Sequence, residues 1–388
     1  MKIKKAYKFR LRPNTAQSVL LHSYAGHVRF LWNKALDLNL TRLKSKQRIM
    51  YYQELDFWSK LWKKSDEYGF LKECPAHLLQ QKLRDLDKAF RDCFDKKQPN
   101  KHLPRFKKRG VRDSFRFPAP NQIHLEHSYI TFPKLGRMKF YRSQTIEGDI
   151  KNYTISRKGL HWYVSVQVEI ELAATTTNNL AKEIGLDVGI KHFVSTSDGR
   201  QITPINSYRG LADKLAIAQR KLSKKTKYSS NWKKQQNRIR KIHIKIADIR
   251  HDFLHKLTTN ISKSHAIIVV EDLKIKNMSK SAKGTIDEPG KNVRAKSGLN
   301  KSILDQGWYE FRRQLDYKSY WRGGRLVEVA PQYTSQKCSN CHYISADNRP
   351  NQKTFACTKC SFEDNADVNA AKNILAAGHA VMACGASA

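Results

Sequence analysis

Cys338-Ser-Asn-Cys341 is followed after fifteen residues by Cys357-Thr-Lys-Cys360, and seven residues past the last cysteine begins Asp367-Val-Asn369-Ala-Ala-Lys-Asn373-Ile. Two C-x2-C pairs at this spacing read as a zinc ribbon. Four thiolates close a tetrahedral site for one Zn2+ and leave no position for substrate, so its role is structural. Two disulfides, or a catalytic zinc in which His342 displaces a cysteine, are the alternatives. Asp367 stands where a short helix should begin, at the edge of the ribbon. A structural metal beside a lone carboxylate points to an insert that braces a catalytic site, so the rest of the chain is searched for partners to Asp367.

Two apolar runs supply them. Glu183-Ile-Gly-Leu-Asp187-Val-Gly189 and His265-Ala-Ile-Ile-Val-Val-Glu271 each read as a buried strand with an acid at its end. A sheet delivers such side chains into a cleft. Ala370, Ala371 and Ile374 would let the helix behind Asp367 pack closely on that sheet. Three carboxylates from separate segments suit two Mg2+ ions, which prefer hard oxygen ligands and keep several waters. Such a pair can activate a water and stabilise the leaving oxygen of a phosphodiester. Asp272 and Glu328 are of the same kind and rank lower. The histidines show no metal spacing and receive no role.

The chain has 388 residues, of which 40% are hydrophobic, enough for two or three domains with a sizeable core. Its 73 Lys and Arg against 34 Asp and Glu give a formal charge of +39. Self-repulsion on that scale is relieved by a polyanion, and nucleic acid is the first candidate. The longest purely aliphatic run, Ala266 to Val270, is too short to span a bilayer, so no membrane partner is expected. The basic start lacks an apolar stretch behind it and does not read as a signal peptide. With four of seven cysteines in a metal pattern, the chain reads as belonging to a reducing interior, the cytoplasm. Cys74, Cys93 and Cys384 read as free thiols used for packing.

Residues 2 to 12 alternate Lys2, Lys4, Lys8, Arg10 and Arg12 with Ile3, Tyr7, Phe9 and Leu11, a strand with one cationic face. Helical spacing runs from Thr15 to about Lys97, broken near Gly69 and Pro75. A basic loop, Leu103 to Gly110, precedes short strands from Phe115 to Glu171, and the polar run Thr175 to Asn179 reads as a linker. Tyr208 to Ile261 is helical, and between Lys214 and Lys245 it carries twelve Lys or Arg and no acid. A solvated helix would intersperse signs, so this face is expected to meet phosphates. The residues expected at nucleic acid are Lys4, Lys8, Arg10, Arg105, Lys107, Lys108, Lys224, Lys225, Lys233, Lys234, Arg238 and Lys241. Phe106, Phe115 and Phe117 could stack on bases, although core packing suits each of them better. Residues 274 to 301, rich in Lys, Ser, Gly and Asn, read as a mobile loop and a candidate lid. A later helix places Leu304, Trp308, Phe311 and Leu315 on one face. Strand, long helices, strand, helix, strand is an α/β order, with the ribbon inserted before the last helix.

These motifs together resemble the transposon-encoded TnpB proteins, RNA-guided DNA endonucleases related to the smallest type V CRISPR effectors. The resemblance covers nearly the whole chain: Lys5-Ala-Tyr-Lys-Phe-Arg-Leu-Arg-Pro13, Leu103-Pro-Arg-Phe-Lys107, Trp162-Tyr-Val-Ser-Val166, Gly185-Leu-Asp187-Val-Gly189, Val270-Glu271-Asp-Leu273, Tyr333-Thr-Ser-Gln336 and Asp367-x-Asn-Ala-Ala371. It implies a multidomain α/β protein whose RNase-H-like (RuvC) nuclease domain uses Asp187, Glu271 and Asp367 as metal ligands. It also implies an N-terminal β-barrel (wedge) split by a helical recognition lobe. The expected boundaries are wedge 1–13 and 103–174, recognition lobe 14–102, linker 175–182, nuclease 183–333, zinc ribbon 334–363, and C-terminal helix and tail 364–388. A guide RNA derived from the transposon end would then select target DNA beside a short flanking motif. The rival readings are a nuclease-inactive guided repressor and an RNA-independent transposase. Two departures stand out: Ala366 where the family often has arginine, and His342 and Ser361 where glycine often follows the second cysteine of each pair. Neither removes a ligand; both bear on loop geometry.

Overall fold

The structure, a computed structural model, describes residues 2–110, 113–171 and 182–385. Positions 175–181 of the expected linker lie outside the described residues. The chain divides into two compact units, Met1–Leu172 and Ala173–Ala388.

The first unit is built from β1 (Lys2–Arg12), α1 (Thr15–Lys44), α2 (Tyr52–Lys64), α3 (Ala76–Phe94), β2 (Ser114–Phe117), β3 (His124–Leu125), β4 (Tyr129–Phe132), β5 (Gly136–Tyr141), β6 (Asp149–Lys158) and β7 (His161–Glu171). Its strands form one antiparallel sheet in the order β2-β6-β7-β1-β5-β4-β3. The period of two in β1 holds: Ile3, Tyr7, Phe9 and Leu11 are buried while Lys4, Lys8, Arg10 and Arg12 are exposed. Phe115 and Phe117 belong to the same core, where Phe117 meets Phe132 at 5.0 Å between ring centres. They are therefore unavailable for stacking on bases, whereas Phe106 is exposed. A capping box starts α1: Asn14 Oδ1 accepts from the Gln17 amide (2.8 Å) and Gln17 Oε1 from the Asn14 amide (3.1 Å).

The second unit comprises β8 (Glu183–Val188), β9 (Val194–Thr196), β10 (Gln201–Ile202), α4 (Ala212–Ser223), α5 (Ser230–Ser264), β11 (Ile267–Glu271), α6 (Ile275–Met278), α7 (Val293–Gln306), α8 (Trp308–Tyr320), β12 (Arg325–Val329), β13 (Thr354–Ala356), β14 (Glu363–Asn365) and α9 (Ala366–Ala383). Five strands form a mixed sheet in the order β10-β9-β8-β11-β12, in which β8, β11 and β12 run parallel. Both faces are covered, as a parallel sheet requires. Ile184, Leu186, Ile268 and Val270 pack with Leu254, Trp308, Phe311 and Leu315 of α5 and α8. The intervening residues Val269, Val327 and Val329 pack with Ile374 of α9.

Helix α9 lies directly on β8. A Cβ on Gly185 would come within 2.8 Å of the Leu375 amide nitrogen and closer still to the Ala371 carbonyl, and Gly378 meets Val269 in the same way. Glycine at these two points is what lets the helix touch the sheet.

Three local expectations are corrected. The segment 274–301 is not an open loop, because α6 and the first half of α7 fall inside it. Lys296 Nζ donates to the Met278 carbonyl (2.7 Å) and Asn300 Nδ2 to that of Lys280 (3.2 Å), which ties the intervening turn to α7. Leu304 does not share a face with Trp308: Gly307, at φ 74° and ψ 35°, breaks the helix and resets its phase, so Ile303 is buried and Leu304 exposed. Cys74 packs in a core as expected, but Cys384 is exposed. No helix among the described residues is long and apolar enough to cross a membrane.

Replacing Gly185 with alanine should force α9 off β8. We expect a loss of about 1–3 kcal/mol, read as a lower midpoint in denaturant unfolding, whereas Gly210→Ala, whose Cβ would meet open space, should leave the midpoint nearly unchanged.

Candidate active site

Strand register brings the first two acids side by side. In the β8–β11 pairing Val270 faces Leu186, so Glu271 follows on the position beside Asp187. Strands in a sheet lie about 4.8 Å apart. By the alternation of side chains, Asp187 and Glu271 share the face of Gly185 and Val269, which is the face α9 covers. Asp367 comes from the first turn of α9, where Asn365 caps the helix by accepting from the Asp367 (3.1 Å) and Val368 (3.3 Å) amides. The positive end of the helix favours a carboxylate there.

The three carboxylates sense one another. Burial first, then the charges of Glu271 and Asp367, push the Asp187 carboxyl up to about 8, against the pull of Arg349. Asp187 keeps some solvent contact, yet protein surrounds its carboxyl closely enough for burial to dominate. Burial also raises Glu271, opposed by a hydrogen bond from Thr334 Oγ1 to Glu271 Oε1 at 2.6 Å. Asp272 and Glu328 are occupied elsewhere: Arg312 Nη1 reaches both, at 2.9 and 3.0 Å. Their lower rank is thus explained by a shared arginine.

The four thiols gather as the spacing requires. Their sulfurs lie within 4.8 Å of one another, with Cys338–Cys360 at 3.7 Å and Cys341–Cys357 at 3.5 Å, and no disulfide joins them. Four Zn–S bonds of about 2.3 Å in a tetrahedron separate the sulfurs by roughly 3.8 Å, so the cluster fits a zinc ribbon. His342 (φ 63°) and Ser361 (φ 52°) occupy the left-handed conformation, and their amides donate to the Cys338 and Cys357 carbonyls at 3.0 Å each. The family's usual glycines would meet that turn without strain.

Four residues with no role assigned from sequence connect ribbon to carboxylates. Asn373 Nδ2 donates to the carbonyls of Thr334 (2.9 Å) and Lys337 (2.6 Å), and Asn369 Nδ2 to that of Lys337 (2.9 Å). Asn369 Oδ1 in turn accepts from the Ser339 amide at 3.0 Å. Both asparagines are buried on α9, one turn apart, and they clamp the chain entering Cys338. That clamp holds Thr334 beneath Glu271. From the ribbon, Arg349 Nη2 reaches Asp367 Oδ1 at 3.3 Å. A cation is therefore supplied to Asp367 from the ribbon although Ala366 precedes it. The i,i+4 pairing of Asn369 and Asn373 was one available signal, and Thr334 lay in a motif of the resemblance without a role assigned to it; Arg349 had no signal.

The basic residues fall in three places. Lys4, Lys8 and Arg10 are exposed on β1, where Lys8 lies over Tyr163 (5.0 Å), Arg10 over Tyr141 (5.6 Å), and Arg12 also over Tyr141 (5.4 Å). The aromatic partners of this face are thus tyrosines. Arg105 and Lys108 are exposed in their loop, but Lys107 turns its ammonium onto the Trp32 ring at 4.0 Å. Burial there, then the charge of Lys82, lowers its pKa to about 8, and its ammonium is turned toward packing on Trp32. Helices α4 and α5 form a hairpin turned at 224–229; Lys224, Lys233, Lys234, Arg238 and Lys241 are exposed on it and Lys225 is half-buried.

Comparison with known proteins places the chain in a family. Residues 162–282 match the family described as "Probable transposase", residues 308–374 a "Cas12f1-like, TNB domain", and residues 1–48 a "Helix-turn-helix domain". In the structure that last stretch is a strand and one continuous helix, β1 and α1. The chain is 47% identical over 99% of its length to an Escherichia coli K12 protein named "Putative RNA-guided DNA endonuclease InsQ", covering 95% of it. It is 32% identical, again over 99% of its length and over 91% of the relative, to a Streptomyces pristinaespiralis protein named "Putative RNA-guided DNA endonuclease". A solved Cas12f1–sgRNA–target DNA complex shares its fold, with a TM-score of 0.57 at 12% identity over 96% of this chain and 98% of that one. The two relatives are named as RNA-guided DNA endonucleases. The chain belongs to the TnpB family.

Two outcomes follow from the geometry. A carboxyl raised to about 8 when folded and near 4 when unfolded binds more protons in the native state across that window. Metal-free protein should therefore lose stability as pH rises from about 4 to about 8. Asp187→Asn should raise the melting temperature of chelator-treated protein at pH 8 by a few degrees, with a smaller gain at pH 5, by calorimetry. In the ribbon, His342→Gly and Ser361→Gly should each relieve about 1 kcal/mol of left-handed strain, measured as slower release of the ribbon metal to a chelator.

Proposed function

We propose that this protein is an RNA-guided DNA endonuclease whose catalytic residues are Asp187, Glu271 and Asp367. The observation that carries the reading is the pair of acids on neighbouring parallel strands, facing the helix that brings the third, with Asp187 sensing the charge of both others. Strongly perturbed carboxyls that push one another apart mark functional sites. Among the described residues the two groups of ligand atoms within 4.8 Å of one another do not include these acids. A wider spread suits two ions about 3.5–4 Å apart. Asp187, Glu271 and Asp367 would hold two Mg2+, supplying an activated water and charge stabilisation at the leaving oxygen. Thr334 would fix the rotamer of Glu271, and Arg349 would hold Asp367 until metal replaces it.

The five-stranded sheet with α9 is read as the RNase-H-like (RuvC) domain over 183–333 and 364–388, and 334–363 as a ribbon around one structural Zn2+. The antiparallel sheet is read as the wedge, over 1–13 and 103–174, with α1 to α3 as the recognition lobe over 14–102. Guide RNA from the transposon end and target DNA would meet the β1 face and the α4–α5 hairpin through their phosphates. Base pairing with the guide would choose the target beside a short flanking motif, in the cytoplasm of a bacterial or archaeal host.

Asp187→Ala should lower cleavage of a guided target by at least about 10³-fold while RNA copurification and target binding persist. Cleavage retained in this variant would overturn the site. Wild-type protein that binds but never cuts would favour a guided repressor, and DNA joining without bound RNA a transposase.

A further inference from the structure

Helices α5 and α8 pack against each other on the side of the sheet away from α9, and a second group of ligand atoms lies between them. His251 and His255 stand one turn apart on α5, with Nε2 to Nε2 at 3.0 Å and ring centres at 4.2 Å. Glu310 enters from the first turn of α8, and the three ligand atoms lie within 4.8 Å of one another. The expectation that the histidines show no metal spacing is corrected here: His251 and His255 are spaced H-x3-H, which places two imidazoles on one helix face, as zinc-binding helices do.

The surroundings orient the donors. Arg313 binds both oxygens of Glu310, at 2.8 Å each, and Gln314 Nε2 donates to Oε1 at 2.9 Å. Partners of this kind fix a ligating carboxylate in place. Lys318, the next cation along α8, is turned away into bonds with the His255 carbonyl (2.9 Å), Thr258 Oγ1 (2.7 Å) and Thr259 Oγ1 (2.9 Å). At 3.0 Å at most one proton fits between the two imidazole nitrogens, so at least one lone pair already faces the gap. An ion about 2.1 Å from each nitrogen would see them at about 90°, the angle of adjacent octahedral positions. His251 is exposed, so solvent can complete the coordination.

We propose that His251, His255 and Glu310 form a site for a borderline transition-metal ion, such as Ni2+, Co2+ or Zn2+, that staples α5 to α8. Two imidazoles and one carboxylate select this class over Mg2+. The site is distinct from both the ribbon and the three carboxylates. Its consequence is mechanical: α8 also carries Arg312, which pairs with Asp272 and Glu328 beside Glu271. An ion here would hold that helix against the long basic helix.

The test uses full-length protein without a histidine tag and with ribbon metal retained, titrated with NiCl2 by calorimetry and followed by thermal unfolding. In excess MgCl2, which occupies the three carboxylates, wild type should bind one further Ni2+ and gain a few degrees in melting temperature. His251→Ala alters an exposed side chain and should weaken that binding at least tenfold; His255→Ala and Glu310→Gln should each do the same. Asp187→Ala should leave it unchanged. Ni2+ binding that survives His251→Ala, or that disappears in Asp187→Ala instead, overturns the proposal.

Discussion

Gly185 has no side chain, and helix α9 occupies the space one would fill. Almost everything about the candidate site depends on that contact. Because α9 touches β8, its first turn reaches the ends of the central strands, and Asp367 arrives beside acids already aligned by strand register. Because the helix is pinned again where Gly378 meets Val269, its polar side is held in a fixed phase. Asn369 and Asn373 then clamp the chain entering the ribbon, and the clamp sets Thr334 under Glu271. One close approach between helix and sheet thus fixes all three carboxylates and the insert beside them.

Charge explains why so strict a frame is needed. Burial removes the water that would screen the three carboxylates, and their mutual repulsion adds to it, so Asp187 is pushed up to about 8 and Glu271 is also raised. A flexible scaffold would relax by letting the acids separate. Here the sheet register, the Asn365 cap and the asparagine clamp oppose that relaxation, so the site stores repulsion that a divalent cation would relieve. The chain's +39 acts at longer range. Exposed cations line the β1 face and the α4–α5 hairpin, among other places, while near the acids Arg312 and Arg349 are held in ion pairs.

What could be read from sequence was whatever local spacing dictates. The cysteine pairs, the acids ending apolar strands and the period of two in β1 are all set within a few residues by backbone geometry. Helix breaks were less visible. Gly307 could sit within a helix or end it, and only its left-handed backbone separates α7 from α8 and exposes Leu304. The composition of 274–301 suggested mobility, but composition does not count the capping bonds that Lys296 and Asn300 supply. Lys107 read as a phosphate ligand because its attraction to Trp32 joins residues far apart in sequence. Thr334 and Arg349 were missed for that same reason.

The ribbon's backbone shows which force shapes it. His342 and Ser361 hold left-handed conformations that cost each about 1–2 kcal/mol. A ribbon with Phe355 as its principal buried side chain has little core with which to offset that strain. Metal binding by four thiolates, worth about 10–16 kcal/mol in small zinc domains, readily does so. A metal held by the four thiolates would therefore set the turn geometry more than the local sequence does. Arg349 follows directly after Asn348, whose side chain bonds the Gln336 and Tyr343 carbonyls and the Thr358 amide, so its position is inherited from the same cluster. The cation opposite Asp367 is thus placed by the framework of the ribbon, which gives the insert a hand in the electrostatics of the site.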